Sequence, residues 1–216
     1  MKTKSKLDTT LYLVTNSDGL SVGDFLDTVA NACEGGVTLV QLREKERSGR
    51  AYLELALKVK SVTDGFNVPL IIDDRVDIAL ASGAAGVHLG LSDLPISSAR
   101  AIMGEGYIIG ATAKTVEQAR AAEDAGADYL GVGAIYPTTT KVITVLTPVE
   151  TLKDIVQNVS IPAVAIGGLN AGNMEVLGGS GAGGIAVVTA IMASNDPKKT
   201  AMELRERVKE VLSYEC

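Results

Sequence analysis

Short apolar runs rich in β-branched residues alternate along this chain with longer stretches whose apolar positions recur at helical spacing. The runs span 11–15, 38–42, 70–72, 86–89, 107–109, 129–132, 163–166 and 185–188. The intervening periodicity predicts helices over 22–33, 49–62, 76–81, 97–103, 116–125, 149–157, 171–177 and 197–212. Within the strands the apolar residues are nearly continuous, the pattern of a parallel sheet covered on both faces.

One phrase recurs at the joints: a helix end, a small residue or glycine, then a β-branched strand. It reads Glu34-Gly-Gly-Val, Ser82-Gly-Ala-Ala-Gly-Val, Asp124-Ala-Gly-Ala-Asp and Ser180-Gly-Ala-Gly-Gly-Ile. Glycine there supplies the left-handed residue that ends a helix and turns the chain back. Eight βα units without a composition break predict an α/β fold, a single (β/α)8 TIM barrel over 1–216, with 1–8 as an N-terminal extension. An open doubly wound sheet is the competitor, but the first strand runs into Thr15-Asn-Ser-Asp-Gly19, with no G-x-G-x-x-G phosphate fingerprint. The 216 residues lie near the short end for a barrel. Long βα connections are therefore informative, and the longest candidate, Gly133 to Pro148, reads as a lid over the C-terminal face.

Composition narrows the function. Twenty basic residues against 26 acidic ones give a net charge of −6, and only six Tyr and two Phe supply aromatic rings. An acidic chain without a basic arm or stacking platform excludes nucleic-acid binding. The most apolar later stretch, 181–193, is too short and too glycine-rich for a membrane span, and no signal-peptide pattern is present. Cys33 and Cys216 make no disulfide framework, so the expected setting is cytoplasmic. No single apolar stripe declares an interface, which leaves a homo-oligomer open.

Chemistry gathers at the strand ends. Alternation along strand two points Gln41, Arg43 and Lys45 the same way, an amide and two cations at the barrel mouth suited to an anion; Glu44 and Glu46 could instead make this a solvated charge cluster. Strand three ends in Asp73-Asp74-Arg75 and strand four leads to Asp93. Two carboxylates at adjacent strand ends suit a Mg2+ that takes its other ligands from water and substrate phosphates. Helix capping by Asp73, Asp74 or Asp93 explains them equally well. His88, the one histidine, reads as a packed, hydrogen-bonded residue. Gly167-Gly168 and Val188-Thr189 close strands seven and eight, where a barrel commonly holds a phosphate on backbone amides. The lid adds Thr138, Thr139, Thr140 and Lys141. Two anionic groups are implied, and no paired general acid and base stands out.

Taken in order, Tyr12-Leu-Val-Thr, Val40-Gln-Leu-Arg-Glu-Lys45, Ile71-Ile-Asp-Asp-Arg-Val-Asp77, Gly86-Val-His-Leu-Gly90 with Asp93, Gly131-Val-Gly-Ala-Ile-Tyr-Pro-Thr-Thr-Thr-Lys141 and Ala165-Ile-Gly-Gly168 resemble the thiamine-phosphate synthase family over nearly the whole chain. The resemblance implies a transferase of thiamine biosynthesis. It would condense 4-amino-2-methyl-5-hydroxymethylpyrimidine diphosphate with 4-methyl-5-(2-phosphoethyl)thiazole by Mg-assisted, dissociative loss of diphosphate, so the partners are two phosphorylated small molecules and the cofactor is Mg2+. It further implies Gln41, Arg43, Lys45, Asp73 and Lys141 on the pyrimidine diphosphate, Asp74 and Asp93 on magnesium, and Thr112 near the leaving group. Lys141, Arg43 and Thr112 would be catalytic, and Thr138, Thr139, Thr140, Gly168, Val188 and Thr189 would hold the thiazole phosphate. The sequence departs from the family pattern at Asp73 (usually Asn), Leu91 (usually Gln), Thr112 (usually Ser) and in the apolar Val142, Ile143, Val145 and Leu146. Two alternatives remain: a thiazole tautomerase, which resembles the synthase but uses a histidine after strand five where Gly110-Ala-Thr-Ala-Lys-Thr115 has none, and a catalytically silent phosphate-binding regulatory barrel.

Overall fold

A computed structural model describes residues 7–137 and 146–212. Eight parallel strands close into a barrel in chain order: β1 (Leu11–Val14), β2 (Leu39–Leu42), β3 (Leu70–Asp73), β4 (Gly86–Leu89), β5 (Ile108–Ala113), β6 (Tyr129–Gly133), β7 (Ala163–Ile166) and β8 (Gly184–Val187). The helices are α1 (Val22–Glu34), α2 (Gly49–Gly65), α3 (Val76–Ser82), α4 (Ile96–Met103), α5 (Val116–Asp124), α6 (Val149–Asn158), α7 (Thr189–Met192) and α8 (Pro197–Leu212).

Strand parity builds two cores from one backbone. Leu11 and Leu13 of β1, Val40 and Leu42 of β2, Leu70 and Ile72 of β3, and Ile185 and Val187 of β8 pack outward beneath the helices. Their neighbours Tyr12, Val14, Leu39, Ile71, Tyr129, Val164 and Ala186 fill the lumen, closed from below by Leu7. Side chains alternate across a strand, so the parity that places Ile71 in the lumen also aims Asp73 at its mouth. Likewise Leu39 fixes the direction of Gln41. The register Tyr12↔Leu39 and Val14↔Gln41 carries this alternation across the β1–β2 pair.

Two helix assignments change. The stretch 171–177 folds only as a 3-10 turn at Met174–Leu177, and a short helix, α7, follows β8 where none was expected. At the α3 end, Gly83 takes the left-handed conformation expected of the repeated joint, with φ +67°. Of the candidate lid, Gly133 to Pro148, residues 138–145 lie outside the described residues, and with them Thr138, Thr139, Thr140 and Lys141.

Candidate active site

The mouth of the barrel opens into a cavity of about 370 Å³. Gln41, Arg43 and Lys45 from β2, Asp73 and Asp74 from β3, Asp93 beyond β4 and Thr112 on β5 all line it, as do Gly168, Val188 and Thr189 on the opposite wall. Every described candidate residue therefore reaches one cavity.

Hydrogen bonds of Tyr52, Glu44 and Asp74 hold the β2 and β3 ends in place. Tyr52, buried on α2, donates its hydroxyl to the Leu42 carbonyl at 2.7 Å and to the Asp73 carbonyl at 3.3 Å, tying the two strand ends together. Glu44 points away from the cavity, where Ser17 Oγ donates to it at 3.0 Å and Arg47 Nε at 2.6 Å. The solvated cluster that would pair Glu44 with the mouth cations does not form. Asp74 adopts φ +61°, a left-handed conformation that Asp tolerates better than most residues, and its amide donates to the His88 carbonyl at 2.9 Å.

The electrostatics of this wall are crowded. Asp73 is buried, and its Oδ2 lies 3.0 Å from Lys45 Nζ and 3.7 Å from Arg43 Nε, charge contacts without an aligned hydrogen bond. Burial and the Asp74 charge raise the Asp73 carboxyl above the usual range, against the pull of Lys45 and Arg43. Lys45 also hydrogen-bonds Asp74. Burial works against the Lys45 ammonium, but its hydrogen bond to Asp74 and the charges of both aspartates outweigh that and raise its pKa. For Asp74, burial is likewise outweighed by hydrogen bonds from Lys45 and Asp93, and its carboxyl falls below the ordinary range. Asp93 rises, through burial and the facing Asp74 carboxylate.

None of the three carboxylates caps a helix. Arg75 and Pro95 occupy the N-cap positions of α3 and α4, and neither makes a side-chain cap bond. Asp93 instead accepts from the Gly90 amide at 2.7 Å, and its carboxyl group also hydrogen-bonds Asp74. Two carboxyl groups meeting in this way form a hard-oxygen donor pair. On this wall Arg43 and Lys45 face the carboxyl groups of Asp73, Asp74 and Asp93, two cations against three carboxyls that carry a surplus negative charge once the proton shared by Asp74 and Asp93 is lost. A divalent cation fits that imbalance and would make the wall able to accept an anion. No cluster of three or more His, Cys, Asp or Glu ligands occurs among the described residues, so such an ion would complete its shell with water and substrate oxygens.

The opposite wall is built on close backbone approach. Gly167 (φ +105°) and Gly168 (φ +65°) both need a positive φ, and a Cβ on Gly167 would stand 2.5 Å from Ala134 Cα, one on Gly168 2.7 Å from Tyr136 Cβ. Glycine thus lets the turn after β7 lie against the segment after β6.

Below the mouth lies a polar chain that the strand-end reading missed. Gln41 Nε2 donates to Tyr12 Oη at 2.7 Å, Tyr12 Oη meets Tyr129 Oη at 2.7 Å, and His88 joins Tyr129 Oη to Thr112 Oγ1 at 3.1 Å on each ring nitrogen. His88 is hydrogen-bonded as expected, yet it also lines the cavity. The available signal was the parity of Tyr12 and Tyr129, both on lumen-facing positions of their strands.

A family profile described as thiamine monophosphate synthase matches residues 11–191. The chain is 50% identical over 203 residues to thiamine-phosphate synthase 2 of Streptococcus pneumoniae, covering 94% of this chain and 97% of that one. It is 50% identical to the thiamine-phosphate synthase of Lacticaseibacillus paracasei, with coverage of 95% and 96%. Among solved structures, thiamine phosphate pyrophosphorylase from Pyrococcus furiosus superposes with a TM-score of 0.87 at 39% identity, over 96% of this chain and 98% of that one. A 3-hexulose-6-phosphate synthase, at 17% identity and TM-score 0.68, shares the fold alone.

Proposed function

The chain belongs to the thiamine monophosphate synthase family, and we propose on that premise that its barrel mouth makes thiamine phosphate from pyrimidine diphosphate and thiazole phosphate. The observation that carries the reading is the division of one cavity into a charged wall at β2–β4 and a glycine-lined wall at β7–β8. Each wall suits one of two phosphorylated substrates.

In the reaction, the pyrimidine methylene breaks its bond to a diphosphate oxygen and forms one to the thiazole nitrogen, and diphosphate leaves with the electron pair. Arg43, Lys45 and Lys141 hold the departing anion, with the Thr112 hydroxyl directed at it. Gln41 and Asp73 hold the pyrimidine, Asp73 accepting from its exocyclic amine. Thr138, Thr139, Thr140, Gly168, Val188 and Thr189 hold the thiazole phosphate, placing its ring nitrogen over the methylene. The apolar lumen below, with Ile71, Val164 and Ala186, excludes water from the electron-poor methylene until the thiazole attacks. Asp74 and Asp93 would hold magnesium, which supplies charge neutralisation to the diphosphate oxygens. No histidine base is needed, since the attacking nitrogen carries a lone pair and no proton.

The tautomerase alternative lacks its histidine. β5 continues as strand through Ala113, and Lys114 follows it into the cavity wall. A cytoplasmic setting is proposed for the protein as a biosynthetic enzyme; among the described residues no helix is long and apolar enough to cross a membrane. Incubation of the purified protein with both substrates tests the function: thiamine phosphate forms with Mg2+ and not with a chelator. Binding of thiazole phosphate with no product under any metal condition would instead support the silent barrel. Lys141→Ala lowers turnover by about 10²–10³-fold, the usual effect of removing one electrostatic donor, with little change in melting temperature. Wild-type turnover in that variant removes Lys141 from the mechanism.

A further inference from the structure

The polar chain beneath the mouth has a direction. Gln41 Nε2 is a donor only, and at 2.7 Å it occupies an acceptor site of Tyr12 Oη. Tyr12 is 2% exposed, and among the described residues the only group left to take its proton is Tyr129 Oη, 2.7 Å away. Reversing that bond would leave a buried phenol proton unpaired, which costs about 1–3 kcal/mol. Tyr129 is fully buried and, having accepted from Tyr12, passes its own proton to the next acceptor, His88 Nδ1 at 3.1 Å. A ring that accepts at Nδ1 is the neutral tautomer with its proton on Nε2. Nε2 then donates to Thr112 Oγ1 at 3.1 Å. The hydroxyl of Thr112, having accepted from the ring, keeps its own proton for the cavity that Thr112 lines.

We infer that a one-way hydrogen-bond relay from the Gln41 amide through Tyr12, Tyr129 and His88 fixes the Thr112 hydroxyl as a donor into the cavity, so that Tyr12, Tyr129 and His88 are positioning residues. Where the cavity holds the diphosphate, as in the function proposed above and resting on it, this donor is set before the leaving group develops charge. Preset donors avoid reorganisation during the reaction. Burial supports the arrangement, because it raises both phenols well above their ordinary pKa and keeps each with one proton to pass on. Tyr129 also stacks edge-on to Tyr12, with centroids 5.7 Å apart, and tilted against His88 at 5.6 Å, so the rings hold one another in register.

A chain with one histidine makes the test direct. Nitrogen-15 NMR of the imidazole near neutral pH is expected to show protonation at Nε2 alone. Tyr129→Phe removes the donor to Nδ1, and the proton shifts toward that nitrogen. The Thr112 hydroxyl then turns inward to donate to the bare Nε2. Turnover in Tyr129→Phe is expected to fall on the order of tenfold with KM for the pyrimidine diphosphate nearly unchanged, and the same substitution in a Thr112→Val background lowers kcat no further. An Nδ1 proton in the wild type overturns the inference without any variant having to fold. So does an unchanged tautomer in folded Tyr129→Phe, or kcat losses that multiply in the double variant. Because the tautomer is read without substrate, its result stands apart from the reaction: an Nε2 proton in a protein that makes no thiamine phosphate upholds the relay and overturns the function.

Discussion

Asp73 carries two opposed demands at the residue scale. It sits 3.0 Å from the Lys45 ammonium, which favours its charge, yet burial and the neighbouring Asp74 carboxylate raise its pKa above the ordinary Asp value. A carboxyl whose pKa is raised on folding binds its proton more tightly in the native state, so its contribution favours the fold at pH below the unfolded value of about 3.9 and is lost as pH rises through the folded one. Asp73→Asn removes that loss. The variant is expected to melt at a higher temperature than wild type at neutral pH, and the difference should vanish on acidification below the unfolded carboxylate range. A variant that melts lower at neutral pH would show that the Lys45 and Arg43 contacts outweigh the burial cost. Such balances are hard to read from a sequence. The alternation of Gln41, Arg43 and Lys45 was legible because strand parity is local, whereas the Asp74–Asp93 contact depends on a left-handed residue and a turn closed by the Gly90 amide. The clamp by Tyr52 was invisible for the same reason, since it joins α2 to two strands at once. Tyr52→Phe deletes a buried hydrogen bond to those strand ends, and denaturant unfolding should register a loss of about 1 kcal/mol.

At the scale of elements, the lumen works by matching glycine to ring. A Cβ on Gly110 of β5 would fall 2.1 Å from the Tyr129 ring of β6, an overlap that only displacement of the ring can relieve. Gly110→Ala is therefore expected to cost about 1–3 kcal/mol of stability through overpacking and to move Tyr129 Oη off His88, visible as a change in the imidazole nitrogen spectrum. An unperturbed spectrum with normal stability would mean that the lumen has slack that the distances do not show. Gly110 also explains a strand boundary. The apolar run stops at residue 109, but β5 continues through Gly110, Ala111, Thr112 and Ala113 because β6 pairs with all four and β4 with the first two. Pairing supplies what weak strand propensity does not. The opposite error occurs at 171–177, where apolar spacing suggested a helix but Asn170 and Asn173 close a turn on each other and leave only four residues of 3-10 helix. Four-residue α7 is too short for any period to announce it.

The whole molecule depends on its seam. The charged wall stands on β2–β4 and the glycine wall on β7–β8, facing each other across the mouth, and the β1–β8 pairing closes the barrel on one side between them. Outside that seam α8 lies across α1, with Leu204 and Val208 buried among the same core residues as Phe25 and Val29. The approach is close: a Cβ on Gly35 would sit 2.3 Å from the Lys198 carbonyl oxygen and 2.8 Å from Ala201 Cβ. Gly35 has an ordinary negative φ, so Gly35→Ala tests contact alone, without backbone strain. Pushing α8 outward should weaken the seam and with it the alignment of the two walls. Cys33, two residues earlier, reports the event. Its thiol is buried, and burial raises its pKa to about 12, so at neutral pH alkylation proceeds only through opening of the structure. If the barrel opens as one unit, Gly35→Ala accelerates Cys33 alkylation, followed by peptide mass spectrometry, and lowers product formation at the same temperatures. Faster alkylation with undiminished turnover would place the opening in α1 and α8 alone, and the walls would then be held together by strand pairing without the help of the outer helices.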